Sequence, residues 1–372
     1  MTTPSMYELA AWRSIQQFRL RPVSRAVRKA SDQVANGAAG LSHRASQFLE
    51  ERPGAQAAVS RGKDLLGKGV SVARSGARKT ADAIPDGMAD WSGAALSSVT
   101  KTMARVARVG LSPRHVVQSH RKRGHDVAVL SDLRLLDLEE IDAVRGRGMN
   151  LYYPLAAAMS GAGAGIVVSG GSLATAVSAG AAAAPSGAAI AGAMVGDAAA
   201  VLGIASRSVG HVSLLYGYDP EDPSEKLFVM SVVNAGTAVS ASAKTAALAD
   251  ISRLTQALVR GKAWAILDKS VVTQVYKQFA NAFSVRFTKQ SLGKVVPAAG
   301  IVIGSGFNWA TLEAIIDTAD MAYRRRFLLE KYPQLKEDTV PMVPEQTTGE
   351  DGVDENISIL AELVEAGGPD LH

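Results

Sequence analysis

An all-α bundle of several helices, with Gly/Ala-rich central helices packed tightly together, is the fold this sequence predicts, and three observations predict it. Aromatic residues are 5% of the chain, whereas Gly alone supplies 35 residues; a core short of large rings is closed by bringing backbones together, which favours helix against helix. Val272, Val275, Phe279, Phe283 and Phe287 recur at three and four residues, the apolar stripe of a buried helix face. Gly300, Gly304 and Asn308 stand four apart after Pro297. On a helix they share one stripe without bulk, which a second backbone can approach closely. Gly161 and Gly165 repeat that spacing, and all five are read as helix-packing positions.

With 372 residues the chain has room for about two domains and a substantial core. It divides into a basic, amphipathic helical region over 1–110, a helical domain over 111–335, and an acidic, mostly disordered tail over 336–372. The charge is uneven: residues 1–150 hold 24 Lys+Arg against 14 Asp+Glu, +10, so the remainder of a chain of +5 is −5. The absence of Cys excludes disulfides, thiolate metal sites and a Cys nucleophile. The first residues lack a basic stretch followed by an apolar one, so no secretory signal peptide is expected and the cytoplasm is the expected compartment.

In chain order, Tyr7 to Phe18 reads as an amphipathic helix carrying Trp12, ended by Arg21-Pro22. From Val23 to Arg108 the sequence is rich in Ala, Ser, Arg and Lys, with sparse apolar anchors; it suits either a solvated outer face or helices lying on an anionic membrane. Ser112-Pro113 starts a helix that Arg121-Lys122-Arg123-Gly124 closes. His115, His120 and His125 are five apart, about 140° per step on an ideal helix, and do not form a metal set. Ser131 to Asp142 gives two successive capped turns, the second with Asp137 as N-cap and Glu140 at its third position.

Gly148 to Gly196 contains no charged residue but is mostly Ala, Gly and Ser. Helices are expected over Pro154–Val168 and Ala188–Val209, either as a buried hairpin or as a re-entrant membrane hairpin. A helix then runs through Tyr216 into the loop Gly217-Tyr218-Asp219-Pro220-Glu221-Asp222-Pro223, after which Ser224 caps Glu225–Ala235. From Asn234 to Lys294 the chain continues helically with a break near Arg260-Gly261.

Tyr216-Gly217-Tyr218-Asp219-Pro220-Glu221-Asp222-Pro223, followed by Glu225-Lys226-Leu227-Phe228, resembles the signature of the EcsC protein family. The resemblance extends back to Leu133–Asp142 and forward through Pro297, Gly300, Gly304 and Asn308 to Tyr323-Arg324-Arg325-Arg326-Phe327-Leu328, covering roughly 112–332. Tyr216, Gly217, Asp219 and Pro220 form its loop. The family is named for the third product of an operon encoding an ABC transporter, so the resemblance implies a link to a membrane transporter or another membrane protein; it carries no reaction with it. The long Gly/Ala arm and the basic stretch over 23–108 depart from the family pattern.

Val295 to Leu312 is uncharged and at the margin of a membrane span. Arg324, Arg325 and Arg326 follow it, and with Arg121, Lys122 and Arg123 they are the expected contacts to lipid phosphates or other anions. Glu313, Asp317 and Asp320, at i, i+4 and i+7, suit ion pairing on an exposed face or, as an alternative, the carboxylates of a metal-dependent hydrolase. Glu337 to the end has ten acidic and no basic residues, with a short helix expected over Ile357–Val364 that would dock on the basic half. The leading expectation is a non-enzymatic protein, without cofactor, on an anionic membrane surface at the cytoplasmic face. An acyl chain held inside the bundle is a further alternative, and nucleic acid is not expected, for want of interleaved aromatics.

Overall fold

The computed structural model describes residues 3–18, 112–146, 149–150, 152–158, 187–260, 267, 269–292, 300–336 and 357–371. Among them the structure is all-α, with nine labelled helices: α1 (Met6–Gln17), α2 (Pro113–Arg121), α3 (Leu138–Arg145), α4 (Gly187–Leu215), α5 (Pro223–Thr237), α6 (Ala241–Val259), α7 (Lys269–Leu292), α8 (Gly300–Lys331) and α9 (Ile359–Glu365). Short 3-10 helices cover Leu130–Leu135 and Pro333–Lys336. The basic stretch over 23–108, the Gly161/Gly165 pair and most of the uncharged arm lie outside the described residues.

The long helix α8 is the axis. It packs on α5, α4, α6 and α1, while α7 lies across α4 and α5. The expected stripe Val272, Val275, Phe279, Phe283 and Phe287 is buried, at 4% exposure or less, and Phe287 meets Phe307 of α8 at 5.2 Å between ring centres. The few aromatic residues are concentrated rather than absent from the core. A second cluster joins Tyr216, Tyr218, Phe228, Tyr323 and Phe327.

Several boundaries differ from expectation, each for a local reason. α1 starts one residue earlier than expected because Ser5 caps it, its hydroxyl accepting from Glu8 N–H and Glu8 accepting from Ser5 N–H; Arg21-Pro22, the expected stop, lies outside the described residues. Asp222 rather than Ser224 begins α5, because Pro223 sits at the first position, where its missing N–H is harmless. The helix expected to run on from Asn234 stops at Ala238, and Ser240 caps α6 through Ala243 N–H.

α1 lies in the same compact unit as the other described helices, packing on α8 and α3. The tail helix α9 lies on α7, α5 and α6 with Ile357, Ile359, Leu360 and Leu363 buried. Asn234 donates to Ile357 C=O at 2.6 Å, and Asp250 accepts from the Ser358 hydroxyl at 2.9 Å. Burial raises the Asp250 carboxyl, against the lowering effect of these α9 donors.

Close backbone approach occurs at Gly236 of α5. A Cβ there would lie 2.7 Å from Ile315 Cα and 3.1 Å from Ile315 N on α8. Gly236→Ala is therefore expected to force α5 and α8 apart and cost about 1–3 kcal/mol in denaturant unfolding. Gly196→Ala, where a Cβ meets nothing within 4 Å, should be neutral or stabilising by up to about 1 kcal/mol.

Candidate functional site

The loop after α4 is shaped by its own sequence. Tyr218 N–H bonds to Ser213 C=O and Gly217 N–H to Leu214 C=O, with Gly217 at φ 83°, the left-handed helix end that glycine favours. Gly217 is needed for a second reason. A Cβ would lie 2.9 Å from Leu130 C=O and 3.1 Å from Leu133 Cβ on the 3-10 helix. The Ser213 hydroxyl donates to Tyr218 C=O, and Asp219 turns the chain by accepting from Glu221 N–H.

Arg324, Arg325 and Arg326 grip this loop and its surroundings. Successive helical residues point about 100° apart, so the triplet cannot form one basic face. Arg324 reaches α3, donating to Asp142 Oδ2 at 2.6 Å, and donates through Nε to the Tyr216 hydroxyl at 2.9 Å. Arg325 turns to α6, with Ser252 Oγ at 3.3 Å. Arg326 turns to α5 and pairs with Glu225 Oε2 at 2.7 Å and with Glu330 of its own helix at 2.9 Å. It also lies over the Tyr218 ring, 3.9 Å from its centre. Tyr323 donates to the other oxygen of Glu225 at 2.6 Å. The expectation that the triplet meets lipid phosphates or other anions is corrected for Arg324 and Arg326, which are taken up by Asp142, Tyr216, Glu225 and Glu330; Arg325, 6% exposed, has Ser252.

The same end of α8 fastens α1. Glu8 is fully buried, and its carboxylate accepts from Lys331 at 2.7 Å, from the Tyr332 hydroxyl at 2.6 Å and from Ser5 N–H. Burial raises its carboxyl, but these donors outweigh it and hold it below the ordinary range. Asp320 pairs with Arg145 of α3, and burial lifts its carboxyl to about 6 in spite of that partner.

The carboxylate trio does not act together. Glu313 is exposed, Asp317 is half-buried, and Asp320 is engaged by Arg145. Among the described residues no group of three His, Asp or Glu is placed to hold a metal ion. Asn308 is a polar clamp: its amide donates to both carboxylate oxygens of Asp197 on α4, at 3.1 and 3.3 Å. Gly300 and Gly304 lie on α8, their surroundings outside the described residues.

His120 and His125 meet, contrary to the ideal-helix projection, because α2 ends at Arg121 and Gly124, at φ 88°, turns the chain back. Their Nδ1 atoms are 2.9 Å apart and their ring centres 5.2 Å, so the nitrogens face each other along the line between the rings. That is the geometry of one shared hydrogen bond; a chelate needs both lone pairs aimed at a point off that line. Glu140 lies 3.8 Å from His125 Nε2. Burial, with His125 and Arg123 nearby, lowers His120 to about 4, and burial lowers His211 to about 4.

Of the six expected anion contacts, Arg121 is also engaged within the fold, donating to Val127 C=O at 2.6 Å and to Ala128 C=O at 3.0 Å. Lys122 and Arg123 are exposed. Val129 and Leu135, at the two ends of the first 3-10 segment, are 55% and 80% exposed. Lys331 ties that segment to the start of α1 by donating to Leu136 C=O as well as to Glu8, and Met6 there is 78% exposed. Sequence reasoning missed Met6, Val129 and Leu135.

Residues 168–328 match the model of the EcsC protein family. Over this region, less than half of its length, the chain is similar to the EcsC family. The EcsC region takes in the described part of α4, all of α5 to α7 and α8 as far as the arginine triplet. A curated relative is the uncharacterized protein YdbA of Bacillus subtilis (strain 168), 26% identical over 133 residues, which is 35% of this chain and 46% of YdbA. The match therefore spans less than half the length of that relative. No solved structure matches the chain. Glu8, Asp142 and Arg145 lie outside the matched region, so the EcsC segment is completed by partners from the N-terminal side.

Two outcomes follow from these pairs. Arg326→Met leaves the buried Glu225 short of its cation, and is expected to cost about 3–5 kcal/mol of unfolding free energy; adding Glu225→Leu should recover most of it. As pH falls from 6.5 toward 4, the unfolded chain protonates His120 and His211 before the folded one does, so both histidines remove stability. Asp320 acts in the opposite sense, because the fold takes its proton near pH 6 and the unfolded chain only near 3.8. Denaturant titrations from pH 7 to 4.5 should show a net decline, reduced by on the order of 1–2 kcal/mol in His120→Asn.

Proposed function

We propose that this EcsC-like protein is a non-enzymatic accessory or scaffold that docks peripherally on an anionic bilayer at the cytoplasmic face, near transport or envelope machinery. The observation that carries this reading is the exposure of Met6, Val129 and Leu135, which we take together with the exposed cations Lys122 and Arg123, at the end of a helix that packs on the 3-10 segment, as one docking edge. Large apolar side chains held in water next to cations are the chemistry of headgroup insertion: the apolar tips enter the acyl boundary while the cations meet phosphates. The edge is firmly backed, since Lys331 and Arg121 hold the segments that present it.

Peripheral docking is favoured over spanning. The described residues contain one helix long and apolar enough to cross a membrane, Gly196–Leu215, and 72% of that window is buried within the fold. The association with transporters rests on the family alone.

Co-sedimentation with vesicles tests this. The full chain is expected to pellet with phosphatidylcholine–phosphatidylserine vesicles, less with phosphatidylcholine alone, and to be partly released by salt. Lys122→Glu with Arg123→Glu should weaken binding by roughly 30-fold at low salt, from about 1 kcal/mol per cation, and Leu135→Asp should weaken what salt does not remove. Equal binding of parent and variants, or none to either vesicle, would sink the proposal.

A further inference from the structure

Three consecutive arginines on α8 provide an internal comparison. Arg324 has Asp142 and Arg326 has Glu225 and Glu330, each within 3 Å. Arg325 lies between them in sequence, is just as buried as Arg326 at 6% exposure, and has no carboxylate among the described residues. Its described partner is a neutral hydroxyl, Ser252 Oγ, at 3.3 Å. A buried guanidinium is ordinarily paired, because the cost of taking it out of water is recovered only against an opposite charge.

Among the described residues nothing else in the neighbourhood supplies that opposite charge to Arg325. Asp250, two residues before Ser252 on α6, is committed to α9 through the Ser358 hydroxyl and, at 3.5 Å, Leu360 N–H. Ser252 Oγ accepts from Arg325, which leaves its own hydrogen to donate. One planar cation with several N–H groups beside one hydroxyl donor matches an oxyanion presenting two or more oxygens. Burial alone acts on the Arg325 guanidinium and lowers its affinity for its proton, whereas carboxylate and tyrosine neighbours raise those of Arg324 and Arg326.

We propose that Arg325 and Ser252, at the α6–α8 interface, form a binding site for a phosphate group, with Arg325 as its counter-charge and Ser252 as its hydroxyl donor. The site is separate from the exposed apolar edge and does not depend on membrane docking. A phosphate monoester in solution and a lipid headgroup share the chemistry it recognises.

Thermal unfolding of the full chain with inorganic phosphate, against chloride at equal ionic strength, tests it. The parent Tm is expected to rise with phosphate and to saturate, as binding to the native state alone requires. Ser252→Ala should weaken the apparent phosphate affinity several-fold, and Arg325→Met should abolish the rise. Lys122→Glu with Arg123→Glu should retain it. Without phosphate, Arg325→Met should unfold no lower than the parent, because it removes an uncompensated charge, while Arg326→Met unfolds well below it. A drop in Arg325→Met as large as that in Arg326→Met would mean that an acid of this chain already pairs Arg325 and would overturn the site, as would the absence of a phosphate-specific shift. Dihexanoyl phosphatidic acid, used below its micellar concentration, separates the sources. At least tenfold tighter binding than phosphate identifies a lipid headgroup; equal affinity identifies a soluble phosphate.

Discussion

The pairing of Arg326 with Glu225 inside the bundle is the contact on which the other polar contacts of this end depend. Glu225 is 3% exposed and stands in the first turn of α5, where a carboxylate also suits the positive end of the helix. With Arg326 on one oxygen and the Tyr323 hydroxyl on the other, it joins α5 to α8 at a fixed rotation. Once that rotation is set, helical geometry aims Arg324 at α3 and Arg325 at α6. Tyr218 is then held against Arg326, so the loop is bound to the same group that orients the helix.

Much of the fold was legible because it rests on periodicity and capping. The Val272–Phe287 stripe, the Asp137–Glu140 capping box and the Pro113 start all follow from residue chemistry within one or two turns. The tail helix was legible too, but not its seat, since Asn234 and Asp250 lie more than a hundred residues away. Likewise nothing local in Ala238-Val239-Ser240 announces a helix end as strongly as Gly or Pro would.

The polar site was less legible, and the arginine triplet shows why. A run of like charges reads as a surface patch when it is treated as linear text; on a helix the same run points in three directions. The partners that neutralise it, Asp142, Glu225 and Glu330, come from α3, α5 and α8, and only Glu330, four residues from Arg326, is placed by spacing alone. The histidines illustrate the converse. Their five-residue spacing separates them on a continuous helix, yet Gly124 ends the helix and folds His125 back.

The clamp between Glu8 and Lys331 joins positions 323 residues apart, and this has a consequence for synthesis. At roughly 5–20 residues per second, about 16–65 s pass between the emergence of the two partners from the ribosome. Throughout that interval α1 lacks its seat on α8, and the face carrying Ala11, Trp12 and Ile15, all buried in the finished fold, is left incompletely covered. Such long-range closure also places the chain among slow folders in spite of its helical content, because helices form early while the ring of contacts that unites them closes last.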